Sequence, residues 1–375
     1  MSRRKAAWRE RMTQLKSLTL RGFKSIRELV DFRFEPVTVL IGANGSGKSN
    51  LLSFFKMLSF SLNTPGELQT YVAQTGGASA MLHDGAQVTR EIEWQVTVVT
   101  ERGDNDYHSR LVFAAGDTLI YAEERYRFSP FGTVGKWHSL GSGHRESKLP
   151  DAHEHLTARV IHGELRKFRQ FQFHNTSSTA RVRTRWSESD GRYLKEDGGN
   201  LAPFLYRLRE QEEDHYVIII DTIRQVAPFF ADFQLNPEHG RLLLGWREQG
   251  SDVVFNASQA PDGLLRFMIL AALLLQPPDD LPSLILLDEP ELGLHPYAID
   301  ILAGLIKACS RKTQLIVATQ STTLLDHFAP EQTVVVSREG RASTFQRLAS
   351  ADLEQWLEDY TLSDLWRKNV VGGRP

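Results

Sequence analysis

Eight consecutive residues, Gly42-Ala-Asn-Gly-Ser-Gly-Lys-Ser49, constrain this chain most: they match the Walker A phosphate-binding pattern at every defined position. The apolar run PVTVLI (36–41) leads in and reads as a buried strand, and NLLSFFKMLSF (50–60) follows with apolar residues at helical spacing. Glycines let such a loop wrap closely, so that backbone N–H groups and the helix N-terminus face phosphates. Gly42, Ala43, Asn44, Gly45, Ser46, Gly47, Lys48, Ser49 and Asn50 are the expected nucleotide contacts. Lys48 is expected to reach the β- and γ-phosphates, and the Ser49 hydroxyl to ligate Mg²⁺. The pattern calls for an α/β P-loop fold.

Downstream, LILLDE (284–289) places four apolar residues before two carboxylates, a Walker B pattern. Such a run suits a parallel strand covered on both faces. Its acids then fall at the C-terminal edge of the sheet, where α/β folds hold their ligands. Asp288 is expected to hold Mg²⁺, directly or through water. Glu289 is expected to be the general base for the water that attacks the γ-phosphate. ATP and Mg²⁺ are thus the expected ligands. In ATQS (318–321), closing another apolar strand, Gln320 is the candidate for contacting the γ-phosphate or the attacking water, with a plain strand-end cap as its alternative. His295, before Pro296, reads equally as a turn residue or a residue facing a partner subunit.

Bulk properties narrow the setting. A net charge of −2 gives no whole-chain field for nucleic acid, so any such contact needs a local basic patch. The single cysteine, Cys309, excludes an intrachain disulfide and a cysteine-built metal site, and fits a reducing compartment. No apolar run approaches the roughly 18 residues of a membrane span and no signal peptide is visible, so a cytoplasmic protein without membrane contact is expected.

Four stretches follow from the patterning. Residues 1–11 form a basic tail, read either as a nucleic-acid-binding arm or as sequence ahead of a true start at Met12. Residues 12–60 form an N-terminal ATPase piece with strands at 15–20, 25–34 and 36–41. Residues 61–215 read as an inserted lobe, with strands at 90–100, 109–115 and 118–128, a glycine-rich loop at 132–143 and a helix at 153–169. Residues 216–375 return to α/β character, with helices at 217–230, 262–275 and 297–308 and strands at 241–247, 252–256, 284–287, 314–318 and 333–337. An apolar face (Leu353, Trp356, Leu357, Tyr360) on a helix at 352–366 is expected to pack on the core, a docking helix being the alternative. No heptad pattern is sustained, which excludes a long coiled-coil arm.

Together, FKSI (23–26), GANGSGKS, DEPELGLHP (288–296) and ATQS resemble the ABC-type ATPases of the RecF/SMC/OLD group, and above all the short RecF-like bacterial ATPases of the AAA-15/AAA-21 type. The resemblance extends through QFHNTS (172–177), RYLKEDGGNLAPFL (192–205) and QAPDGLLRF (259–267). It implies an ABC-type ATPase head of two lobes carrying an inserted, mainly β and helical lobe, which dimerises around two ATP molecules. Each ATP would lie on the Walker motifs of one subunit and the signature segment of the other. Pro261, Asp262 and Gly263 take the signature position, with Pro261 where the family usually has serine; Arg266 is a further contact in trans, and Ser258 the nearby residue that could stand in. Gln172 is the candidate Q-loop glutamine and a further metal ligand, Gln170 and Gln74 remaining open. The implied role is DNA repair or maintenance; the alternative is an ATP-sensing platform in a defence system, acting through an operon-encoded partner protein.

One stretch, 159–192, holds eight Lys/Arg against three acids, with Phe168, Phe171, Phe173 and Trp186 interleaved. Cations that release counterions from phosphates and aromatics that stack on bases make it a candidate DNA surface, centred on Arg181, Arg183 and Arg185. A solvated face over a hydrophobic strand is the alternative.

Overall fold

The computed structural model describes residues 13–63 and 66–373, so the basic tail and the start at Met12 lie outside it. One six-stranded sheet carries the nucleotide motifs. Its strands run in the order Ala342–Arg347, Thr333–Glu339, Val37–Ile41, Gln314–Thr319, Leu284–Asp288 and Phe168–Phe171. Only the hairpin made by the first two is antiparallel. Parallel register sets Asp288 beside Ala318 and Thr319 beside Ile41. The C-terminal ends of the Walker A, ATQS and Walker B strands therefore meet at one edge.

Side chains of these strands alternate between two cores, as a period of two requires. Ile285, Leu287, Leu315 and Val317 share a core with helices Leu201–Gln211, Glu213–Val226, Asp262–Leu275 and Pro296–Cys309. Leu284, Leu286, Ile316 and Ala318 face the other way, toward the phosphate-loop helix Lys48–Ser61.

That helix is covered by a second, antiparallel sheet. Its order is Ile26–Arg33, Gln14–Phe23, Glu91–Thr100, Gly103–Ala114, Thr118–Pro130, His138–Gly141. Phe54 meets both Phe23 and Trp94 edge-on at 5.8 Å, a favoured aromatic geometry that fixes the helix beneath the sheet.

Strands from either side of the expected division at 60/61 pair with one another. Gln14–Phe23 pairs with Glu91–Thr100, and Phe168–Phe171, expected inside the lobe, pairs in parallel with the Walker B strand. Change of periodicity marked the lobe in sequence, but its strands complete sheets begun elsewhere. Smaller differences have similar causes. The helix expected at 153–169 spans Leu156–Leu165, and the glycine-rich loop contains the strand His138–Gly141. The strand expected at 241–247 splits into Arg241–Leu242 and Gly245–Glu248, which pair with different partners. The expected C-terminal helix is two, Ser350–Leu357 and Leu362–Arg367. Leu353, Leu357 and Tyr360 pack on the core as expected, whereas Trp356 is 44% exposed. Among the described residues no helix is long and apolar enough to cross a membrane.

Candidate functional site

The phosphate loop joins Val37–Ile41 to Lys48–Ser61. Gly45 and Gly47 take φ of 77° and 112°, which glycine adopts without the Cβ penalty. A Cβ on Gly47 would also lie 2.0 Å from Ser343 Oγ, because the C-terminal hairpin presses on the loop from behind. Ser343 Oγ donates to Ser46 O at 2.5 Å, and Asn50 Nδ2 donates to Ser25 Oγ at 2.7 Å. Ser25 was visible only as part of FKSI, and Ser343 carried no sequence signal. Lys48 is buried, with Nζ donating to Gly42 O at 2.6 Å and Ala43 O at 3.0 Å. Burial lowers the pKa of its ammonium, against the upward pull of Glu289, Asp288 and Glu291. Ser46 Oγ is buried with no partner among the described residues.

Across the loop, Ser49 Oγ donates to Asp288 Oδ1 at 3.2 Å, which brings the two expected Mg²⁺ ligands together. Burial pushes the Asp288 carboxyl up, opposed by the Ser49 hydrogen bond and by His174. One residue past the strand, Glu289 takes φ of +47°, rare for a non-glycine residue and a known feature of functional sites. Its Oε1 accepts from Gln320 Nε2, so the expected base and the expected γ-phosphate contact are joined directly. Behind them, Glu291 Oε1 accepts from Thr319 Oγ1 and from Gln320 N, the latter at 3.3 Å. Glu291 is 9% exposed, and its Oε2 has no partner among the described residues. Burial holds its carboxyl above the usual glutamate value, against the Thr319 hydrogen bond. A lysine resting on loop carbonyls, an orphaned hydroxyl and a paired Ser–Asp set fit ATP with Mg²⁺.

Gln172 lies near this edge but bonds His174 Nδ1 at 3.1 Å; His174 Nε2 in turn lies 3.2 Å from Asp288 O. It is therefore the His174 side chain, not singled out in the sequence, that reaches the Asp288 carbonyl at the end of the Walker B strand. Gln74 is elsewhere, at the end of the helix Glu67–Gln74.

The signature segment opens the helix Asp262–Leu275, with Pro261 at the N-cap and Pro261 and Asp262 exposed. A Cβ on Gly263 would lie 2.5 Å from Gly293 O, so close packing within the subunit already requires glycine there. Arg266 differs from expectation. Its guanidinium is buried, donating from Nε to Phe173 O at 2.9 Å and from Nη1 to Leu292 O, and so is turned into its own subunit. Ser258 Oγ donates to Asn256 Oδ1 in the turn before the helix. His295 caps the helix Pro296–Cys309, its Nδ1 accepting from Tyr297 N at 3.3 Å.

The three arginines of the candidate DNA surface separate. Arg183 is not a surface residue: its side chain is 6% exposed and donates to Thr176 O, Ala257 O, Ala260 O and Asp262 Oδ1. It fixes the signature turn. Arg181 pairs with Asp197 at 3.0 Å and lies over the Trp186 ring, and Arg185 pairs with Glu238 at 2.6 Å.

Comparison with known proteins then decides the family. The family described as "AAA domain, putative AbiEii toxin, Type IV TA system" matches residues 37–326, from the Walker A strand to beyond ATQS. The chain belongs to this family. Over 39 residues it is 59% identical to the chromosome partition protein Smc of Mycolicibacterium paratuberculosis and, equally, to that of Mycobacterium leprae; the match spans 3% of either relative. Among solved structures it is similar to an Smc head bound to the C-terminal winged-helix domain of ScpA, with a TM-score of 0.59, 19% identity, and 92% and 99% of the two chains covered. An Smc head from Pyrococcus furiosus with an extended coiled coil, bound to the C-terminal domain of ScpA, gives a TM-score of 0.54 at 19% identity, covering 93% and 99%. The fold is thus that of an SMC-type P-loop ATPase head, on which this AAA-family chain builds the site described above.

Proposed function

We propose that the chain is a Mg²⁺-dependent ATPase that closes as an ATP-driven homodimer and works on DNA in repair or maintenance, in the cytoplasm. The carrying observation is the convergence of Ser49, Asp288, Glu289 and Gln320 at one sheet edge, with Ser49 on Asp288 and Gln320 on Glu289. Lys48 and the loop amides would hold the triphosphate, and Ser49 and Asp288 the metal. Bound Mg²⁺ neutralises phosphate charge. Glu289 takes a proton from the attacking water while Gln320 holds its carboxylate in place. Replacing Glu289 by Gln removes the base and leaves these binding groups, so ATP affinity is expected to persist while turnover is lost. Calorimetric ATP binding and phosphate release on the Glu289→Gln protein test this; turnover at the unmodified rate overturns it.

The matched family's description favours a second reading, in which the ATP-bound head is a platform for an operon-encoded partner of a toxin-type defence system. The ScpA-bound Smc heads offer a precedent for a head that holds another protein. Pulldown of the Glu289→Gln protein with ATP from native cells separates the readings: DNA fragments support the first, a neighbouring gene's product the second.

A further inference from the structure

The basic stretch at 159–192 contains cations that neither the nucleotide site nor the signature turn uses. Arg166 and Lys167 immediately precede the strand Phe168–Phe171, and Phe168 pairs with Leu284, the first residue of the Walker B strand. They therefore sit at the amino-terminal edge of the parallel sheet, the opposite end from Asp288. There they line a cavity of about 450 Å³ together with Arg192, Tyr193, Leu194 and Leu281. Arg169 Nη1 donates to Arg166 O at 2.6 Å and Ser59 Oγ at 3.1 Å, so the turn that presents the two cations is fixed.

Charge bookkeeping separates this group from its neighbours. Arg181, Arg183 and Arg185 each meet a carboxylate, and Asp280 on the cavity wall is taken by Arg207 at 2.7 Å. Arg166, Lys167 and Arg192 are exposed, and their side chains have no ion pair or hydrogen bond among the described residues. Arg166, Lys167 and Arg192 outnumber Asp279, the lining carboxylate that Arg207 does not take, so the mouth keeps a net positive charge that an anion with several acceptor oxygens relieves. Tyr193, 61% exposed, offers a ring face beside them, and Leu194 and Leu281 give an apolar wall. A volume of this size lies within the roughly 300–1,000 Å³ of small-molecule sites.

We infer that this cavity is a second anion site, taking a phosphate monoester of mononucleotide size. Its phosphate lies on Arg166, Lys167 and Arg192, and its base stacks on Tyr193. Neither the ATPase reading nor a dimer is needed for it.

Adenosine monophosphate is the probe, titrated calorimetrically into the full-length Lys48→Ala protein so that the Walker loop does not compete. Binding is expected, and Arg166→Ala and Arg192→Ala should each weaken it about tenfold, the loss of one charge-assisted contact. Tyr193→Ala should weaken it at least about fivefold while leaving competition by inorganic phosphate unchanged, and Tyr193→Phe should bind like the parent. In the Lys48-intact protein the same substitutions should leave ATP binding as it was, which also shows that the variants fold. No binding of the monophosphate, or binding indifferent to Arg166→Ala, Arg192→Ala and Tyr193→Ala, overturns the inference. A short single-stranded oligonucleotide held by these residues when the monophosphate is not would also overturn it, in favour of a polymeric ligand.

Discussion

At the residue scale, the site depends on a carboxylate that does no chemistry of its own. Glu291 takes the Thr319 hydroxyl and the Gln320 amide on one oxygen, and Gln320 in turn holds Glu289. Truncating Glu291 to Ala leaves two donors without an acceptor inside the protein, at a cost of about 1–3 kcal/mol. Turnover of the Glu291→Ala protein is therefore expected to fall more than its ATP affinity, read as a kcat loss with little change in a calorimetric Kd. Its titration gives a second check. Burial raises the Glu291 pKa, so between the ordinary glutamate value and the raised one the folded chain binds more protons than the unfolded. Stability from this group is therefore full below the ordinary value and lost as pH rises through the window. Glu291→Gln removes the titration, so its urea midpoint should fall less steeply with pH across that window than the parent's. Equal slopes would mean that Glu291 does not titrate there.

At the element scale, the signature helix Asp262–Leu275 is anchored by two arginines. Arg266 reaches from its second turn to Phe173 O and Leu292 O, while Arg183 holds the preceding turn through Ala257 O and Ala260 O. Phe173 adjoins His174, which touches the Asp288 carbonyl, and Leu292 follows Glu289 by three residues. The helix that would meet a partner's ATP is thereby tied to the residues proposed as metal ligand and base in the same chain. Arg183→Ala is expected to lower the melting temperature, because it leaves the carbonyls of the buried Ala257 and Ala260 without their donor, and to leave ATP affinity within about twofold, because those carbonyls lie before the signature helix and not at the phosphate loop. A loss of ATP binding as large as that of Lys48→Ala would contradict the separation.

The same elements show what was legible in the sequence. Leu284–Asp288, Gln314–Thr319 and the phosphate loop were readable because strands buried on both faces leave continuous apolar runs, and the loop has a fixed pattern. Phe168–Phe171 was not: an edge strand reading FRQF carries no such run. Nor was the inward turn of Arg183. Arg181–Arg183 is a 3₁₀ turn, so neighbouring arginines leave it in different directions, and one turned inward where pattern reading placed all three on one surface.

At the scale of the whole molecule, the signature helix sets how strongly ATP would close two copies in the proposed dimer. A serine at position 261 would offer a hydroxyl and an N–H to the partner's γ-phosphate; Pro261 offers neither. The neighbouring residues do not replace it. Ser258 Oγ is engaged by Asn256, Arg266 is turned inward, and Asp262 adds a carboxylate at the same helix end, held by Arg183 at 2.7 Å. What remains for a phosphate in trans is the free backbone N–H groups of the helix's first turn, Gly263 among them, and the helix dipole. A missing hydrogen bond to a charged oxygen costs about 1.5–3 kcal/mol. In a two-fold dimer both sites bear that cost, so closure is expected to be weak and basal hydrolysis slow. Pro261→Ser should reverse both. Pro261 sits at an N-cap, with φ of −56° and ψ of 138°, a conformation that serine favours, so the substitution should not disturb the helix. Combined with Glu289→Gln to trap ATP, it is expected to tighten dimerisation at least about tenfold in sedimentation velocity, and alone to raise turnover, while Ser258→Ala changes neither. If Pro261→Ser leaves dimerisation and turnover unmoved, this helix end is not the surface that meets the second ATP.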